Sequence, residues 1–92
     1  MKLEAEVRTK RGKSASRRLR RSSRLPAIIY GRNEAPLSVE LDHNEVINQI
    51  DKPGFYKEIE LCVQGTEIRV KLKEIQRHVF KPKVEHLDFI RI

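Results

Sequence analysis

The chain has a single cysteine, Cys62, so no internal disulfide can form, which fits a reducing compartment. Its apolar runs last only a few residues, whereas a membrane-spanning helix needs roughly 20. The opening Met-Lys-Leu-Glu-Ala-Glu-Val carries acids where a secretory signal needs an apolar stretch, so the expected location is the cytoplasm. Motifs of catalysis are missing as well: there is no Gly-rich phosphate loop, nucleophile elbow or paired-carboxylate motif. His43, His78, His86 and Cys62 offer metal-ligating atoms, but their spacings match no zinc finger or ribbon, and Cys62 lies mid-strand. Isolated polar residues are the better reading. The expectation is a protein that is not an enzyme and carries no cofactor or metal.

One further absence says most about function. Between Arg8 and Arg32 there is no Asp or Glu, yet ten cations: Arg8, Lys10, Arg11, Lys13, Arg17, Arg18, Arg20, Arg21, Arg24 and Arg32. They are half of the chain's 20 Lys and Arg. Like charges packed so densely repel, and a folded domain tolerates them where a counter-charge is expected. A solvated charge run is the usual meaning of such a stretch. Here arginine dominates lysine, and guanidinium suits bidentate phosphate contacts. Ser14, Ser16, Ser22 and Ser23 add small donors that also contact phosphate, and no acid is present to lace the run into ion pairs. A phosphate backbone is the expected partner.

Residues 1–92 are expected to form one small domain. The charge is unevenly spread along it, with a basic head, an acidic middle over 34–68 and a basic tail over 69–92. The acidic middle is expected on a solvent face, with head and tail meeting on the other. Apolar residues cluster in the second half, enough for a core.

Leu3, Ala5 and Val7 alternate with Glu4, Glu6 and Arg8, a half-buried strand. Ser14 is placed to cap a short helix through Arg21. Its thin stripe of Ala15 and Leu19 predicts a helix that is loose alone and ordered by its partner. Pro26 closes that segment, Ala27–Tyr30 is a short strand, and Gly31-Arg32-Asn33 turns the chain. Leu37, Val39 and Leu41 form another strand. Asp42-His43-Asn44-Glu45 fits a capping box opening a helix that buries Val46, Ile47 and Ile50, with Pro53-Gly54 as its end. Ile59, Leu61 and Val63 lead into a Gln64-Gly65 turn, and Ile68, Val70 and Leu72 return as a hairpin whose acids and cations face each other. A polar stretch from Lys73 to Lys83 precedes a last strand over Val84–Arg91. The prediction is a β-rich, mostly antiparallel domain of five or six strands that hides its edges by curling into a barrel.

Tyr30 is either an aromatic core residue at a strand end or a ring and hydroxyl that touch phosphate or sugar. The tail sets Gln76, Arg77, His78, Lys81, Lys83, His86 and Asp88 together. A carboxylate on a phosphate-binding face weakens affinity unless it accepts from a base amino or imino group. His86 and Asp88, two apart, share a strand face. Composition alone favours the alternative, in which Asp88 balances Lys81 or Lys83 in a weak surface pair.

The runs Gly12-Lys13-Ser14-Ala15-Ser16-Arg17-Arg18-Leu19-Arg20, Leu25-Pro26-Ala27-Ile28-Ile29-Tyr30-Gly31, Glu40-Leu41-Asp42-His43 and Gln76-Arg77-His78 through Lys81-Pro82-Lys83 to His86-Leu87-Asp88-Phe89 are specific in this order. They resemble the bacterial large-subunit ribosomal protein L twenty-five family, related to general stress protein CTC, in its short single-domain form. The resemblance spans essentially the whole chain. It implies a six-stranded β-barrel with two or three helices that binds the loop-E arm of 5S ribosomal RNA in the central protuberance of the large subunit. The strand face would enter a wide minor groove and the N-terminal helix a neighbouring major groove. A regular A-form major groove is too narrow for a helix, so a distorted segment is required.

By motif position, the resemblance implies that Arg8, Lys13, Ser16, Arg17, Arg18 and Arg20 hold backbone, while Tyr30, Gln76, His86 and Asp88 read the groove. Arg21, Lys73 and His78 complete the expected RNA-binding set. Lys73 departs from the family, where an amide is common, and exchanges a directed contact for a phosphate contact. Expected partners are 5S ribosomal RNA and neighbouring components of the large subunit, with no membrane, no small-molecule substrate and a monomer when free. Two rival classes remain at the level of sequence. One is a polybasic binder of acidic membranes or heparin-like polymers. The other is a metal-dependent hydrolase built on His78, His86 and Cys62. A DNA-binding role is a lesser variant, since no groove-reading helix motif is present.

Overall fold

The computed structural model describes residues 1–8, 24–81 and 83–92. The expected helix over 14–22 therefore lies outside the described residues. Among those described, the order is β1 (Lys2–Val7), β2 (Arg24–Tyr30), β3 (Leu37–Asp42), α1 (His43–Gln49), a 3-10 turn (Pro53–Tyr56), β4 (Glu58–Val63), β5 (Thr66–Arg77) and β6 (Val84–Arg91). The strands close into a barrel in the order β1-β3-β2-β6-β5-β4, with β4 returning to β1. Two pairings, β1 with β4 and β2 with β6, are parallel, and the other four are antiparallel. The β-rich barrel predicted from alternation and from the resemblance is thus the fold.

Alternation builds the interior. Leu3, Leu25, Ile29, Leu41, Leu61 and Phe89 are each at most 1% exposed and point inward. Val46 of α1 and Phe55 of the 3-10 turn are fully buried and join the same cluster. The Asp42 side chain caps α1 by accepting from the N–H groups of Asn44 (2.8 Å) and Glu45 (3.2 Å), as the capping pattern predicts. The start of the helix is tied to β6 by His43, whose Nε2 accepts from the Val84 N–H at 3.1 Å.

The structure corrects three details. β2 begins at Arg24 and runs through Pro26, which lies where β2 is paired with β3 but not yet with β6, a position that tolerates a missing N–H. β5 continues to Arg77 instead of ending before the polar stretch at Lys73. A bulge hides it from a period-two reading. Leu72 pairs with Phe89 and Ile75 with Leu87, so three steps on β5 match two on β6. Finally, Arg24 is not without counter-charge. It bridges Glu6 (3.7 Å) on β1 and Glu40 (3.5 Å) on β3, so this member of the basic run supports the barrel wall. Glu58 of β4 pairs with Arg69 of β5, the cross-strand complementarity expected of that hairpin.

Gly31, Arg32 and Asn33 all have positive φ, at 107°, 58° and 56°, and reverse the chain after Tyr30. Arg91 holds this loop from β6 by donating to the Gly31 carbonyl (2.9 Å) and the Ala35 carbonyl (3.1 Å) while pairing with Glu34 (3.1 Å). A Cβ at Gly31 would lie 3.1 Å from Ile90 Cγ1 and 3.3 Å from the Arg91 nitrogen. Gly31→Ala is expected to cost about 1–3 kcal/mol of stability, measured by denaturant unfolding, because neither the φ nor the space suits a side chain.

Burial, and after it the nearby Lys83 ammonium, hold His43 below the ordinary imidazole value of 6.5, with Asp42 pulling weakly the other way. A depressed folded-state pKa means the unfolded chain takes up a proton first as pH falls, so stability is lost on the acid side of about 6.5. His43→Gln keeps an acceptor for the Val84 N–H and removes this proton. Thermal melts between about pH 7.5 and about pH 5 should show a smaller acid loss in His43→Gln than in the wild type.

Candidate nucleic-acid interface

The outward positions of β2, β6 and β5 form one continuous face. On β6 the inward Leu87 and Phe89 are fully buried, which sends His86, Asp88 and Ile90 outward. On β2 the inward set Leu25, Ala27 and Ile29 leaves Ile28 and Tyr30 outward. Register then fixes the neighbours. Ile28 lies beside Asp88 and Tyr30 beside Ile90 on one flank, while Gln76 lies beside His86 and Glu74 beside Asp88 on the other. The bulge at Lys73 lets its ammonium reach across β6 to sit 5.1 Å from the centroid of the Tyr30 ring, a cation–π contact.

Five expected site residues, Tyr30, Lys73, Gln76, His86 and Asp88, are therefore brought onto one face. Tyr30 is outward at a strand end and not a core residue. Arg8 leaves the barrel at the end of β1, where its N–H donates to the Ser38 carbonyl at 2.9 Å, two strands away from β2. Lys13, Ser16, Arg17, Arg18, Arg20 and Arg21 lie outside the described residues. His78 stands apart in the loop after β5, where its Nδ1 accepts from the N–H groups of Phe80 and Lys81, both at 3.1 Å. With His43 on Val84 and His86 beside Asp88, the three imidazoles have separate surroundings. Among the described residues no three His, Cys, Asp or Glu side chains gather as a metal would need.

Asp88 is the unusual member. Its Oδ1 is buried and accepts no hydrogen bond. His86 Nδ1 lies 3.2 Å away, close enough for ionic attraction when the ring is protonated but outside hydrogen-bond geometry. Neither Lys81 nor Lys83 pairs with it, which removes the surface-pair alternative. Across the strand stands Glu74, a like charge in register. Period-two reading missed Glu74 as a neighbour, although the three-residue spacing from Leu72 to Ile75 is the sequence trace of the bulge that puts it there.

The model of the ribosomal L25p family matches residues 3–89. The chain belongs to the ribosomal L25p family. Among curated relatives, the large ribosomal subunit proteins bL25 of Aliivibrio fischeri and Aliivibrio salmonicida are each 62% identical over 92 residues, covering the whole of both chains. The Vibrio atlanticus protein of the same name is 59% identical over the same span. Family membership, expected from four motifs, is thus established over nearly the full chain.

A buried carboxylate oxygen with no donor, facing a like charge, works against folding. Asp88→Asn is accordingly expected to leave the free protein as stable or to stabilise it by up to about 1 kcal/mol at a pH where His86 is neutral. Denaturant unfolding checks this, and a loss above that size would make the carboxylate a structural group.

Proposed function

We propose that this chain is a non-enzymatic structural protein of the large ribosomal subunit, acting in translation by binding the loop-E arm of 5S ribosomal RNA and stabilising it in the central protuberance. The observation that carries the reading is the outer face of β2, β6 and β5, where Tyr30, Lys73, Gln76 and His86 share a surface with Asp88, whose Oδ1 is buried and accepts no hydrogen bond within the protein. Family membership and the names of the full-length relatives support the ribosomal setting.

The chemistry follows from what a minor groove offers. Its base edges are mostly acceptors, and the guanine 2-amino group is the donor that breaks this pattern. A desolvated carboxylate selects such a donor and rejects a groove without one, because an unmet Asp88 and an unmet acceptor edge would face each other. Gln76, His86 and the Tyr30 hydroxyl suit the 2′-hydroxyls that mark the groove as RNA. Lys73, already over Tyr30, supplies charge at the rim. The cations Arg8, Lys13, Arg17, Arg18, Arg20 and Arg21, with the Ser16 hydroxyl among them, would hold backbone and provide most of the affinity, with residues 1–92 acting as one RNA-binding domain. In this reading the protein works on the cytoplasmic ribosome and is monomeric when free.

If about five to eight phosphates are engaged, the affinity for 5S RNA should fall steeply with salt, with a log–log slope of about −4 to −7. Asp88→Ala should weaken that RNA by about tenfold and a regular duplex of equal length hardly at all. Gel-shift titrations at several salt concentrations measure both quantities. A flat salt slope, or equal losses on the two RNAs, would contradict the proposal.

A further inference from the structure

Beyond the sheet face, the loop joining β5 to β6 presents an apolar tip in a cationic setting. Phe80 is 91% exposed and Val79 is 83% exposed, the two most exposed large apolar side chains among the described residues. Such exposure is usually a loose loop, but here the backbone is fastened. The His78 N–H donates to the Lys83 carbonyl at 2.8 Å and closes the base of the loop. His78 Nδ1 then accepts from the N–H groups of both Phe80 and Lys81. The His78 ring also meets Phe80 edge-on, with centroids 6.4 Å apart and planes at 60°. The fold thus spends an imidazole on holding an aromatic ring out in solvent.

The surroundings indicate what the ring meets. Beside the tip is a cleft of about 190 Å³ between α1 and the loop. Ile47, Ile50 and Val84 line its apolar part, Arg77, Lys81 and Lys83 line it with charge, and Asp51 is its one acid. An exposed aromatic face next to three cations matches a nucleotide, whose base offers a π-face and whose flanking phosphates offer negative charge. Two apolar side chains are too few for a stable protein contact, which needs about 800 Å² from each partner. The loop also lies close to the proposed RNA face, because only the Arg77–Val84 pair separates it from the rung formed by Gln76 and His86.

We propose that this loop is a second RNA contact, in which Phe80 stacks on an unpaired base and Arg77, Lys81 and Lys83 hold the adjacent phosphates. The inference rests on the RNA-binding reading above and extends it to a site off the sheet face. His78 is a positioning residue in it, touching the loop backbone and not the RNA.

The test uses the full chain and 5S ribosomal RNA. Phe80→Ala should bind that RNA more weakly, on the order of tenfold, with an unchanged melting temperature because the ring is exposed. Phe80→Leu, apolar but without a ring, should be similarly weak. Because the chain has no tryptophan, Phe80→Trp gives a single tryptophan that can be excited selectively over the two tyrosines. It should bind as the wild type does, and its emission should be quenched on saturation with RNA. The double variant Lys81→Ala/Lys83→Ala should reduce the salt slope by about two. Wild-type affinity in Phe80→Ala, or unquenched Phe80→Trp in a saturated complex, would overturn the inference. So would wild-type RNA affinity combined with poor incorporation of Phe80→Ala into assembled subunits, which would make the tip a protein contact. Asp88→Ala run in parallel separates the two levels. Loss there without loss at Phe80 sinks the loop contact alone, whereas a wild type that does not prefer 5S RNA to an unrelated duplex sinks the broader reading.

Discussion

Closure of the barrel through two parallel pairings is the constraint on which the rest depends. β1 joins β4 and β2 joins β6 across long stretches of sequence, and without them the strands would be two three-stranded sheets, β1-β3-β2 and β6-β5-β4, with four raw edges. Closure also decides the side of every residue. Once Leu25, Ala27 and Ile29 fill the interior beside Leu87 and Phe89, their sequence neighbours have nowhere to go but outward. A domain this small has little interior to spare, so its chemistry must be carried on the outer wall. The pairing of β2 with β6 is therefore both a structural seam and the reason that Tyr30 and Asp88 share a surface.

That surface is not arranged for stability. Glu74 and Asp88 stand in register on adjacent strands, and a buried Asp88 oxygen has no donor. Elsewhere the same fold places its charges in complementary pairs: Lys2 with Glu67 at 2.8 Å, Arg24 with Glu6 and Glu40, and Arg91 with Glu34. The contrast separates two uses of charge. Glu6 of β1, Glu40 of β3 and Glu58 of β4 are matched by arginines from other strands, while Glu74 and Asp88 on the β5–β6 rung face each other. A binding face needs that arrangement, since groups already satisfied within the protein have little to gain from a partner.

Much of this was legible from residue order, and the parts that were not have physical causes. Strict alternation exposed β1, β3, β4 and β6, and the acceptor at Asp42 marked the start of α1, because both signals are local. The far half of β5 was hidden by its bulge. Two inward residues three apart, Leu72 and Ile75, do not look like a strand until the partner strand is known. Tyr30 could not be sorted between core and surface from a four-residue apolar run, in which either phase is possible. The pairing of Arg24 was invisible for the opposite reason: its acids, Glu6 and Glu40, lie far off in sequence and only barrel closure brings them near. The bonds that His78 Nδ1 accepts from the loop backbone were not legible either, because they depend on how the chain folds back after β5.

Both ends of the outer face are held by one recurring device, a side chain that satisfies the backbone of a loop. At one end Arg91, whose side chain is only 8% exposed, donates to two carbonyls of the β2–β3 loop and so fixes the chain immediately after Tyr30. At the other, His78 accepts from two N–H groups of the β5–β6 loop just beyond Gln76. Loops are ordinarily where a small barrel is softest. Tying them down from inside removes ordering entropy that docking of the proposed RNA partner would otherwise have to overcome. In the proposed reading it would also let a short outer wall be selective. A carboxylate discriminates between groove edges only if it cannot swing away from the wrong one. Asp88, mid-strand on β6 between two fastened loops, has no such freedom.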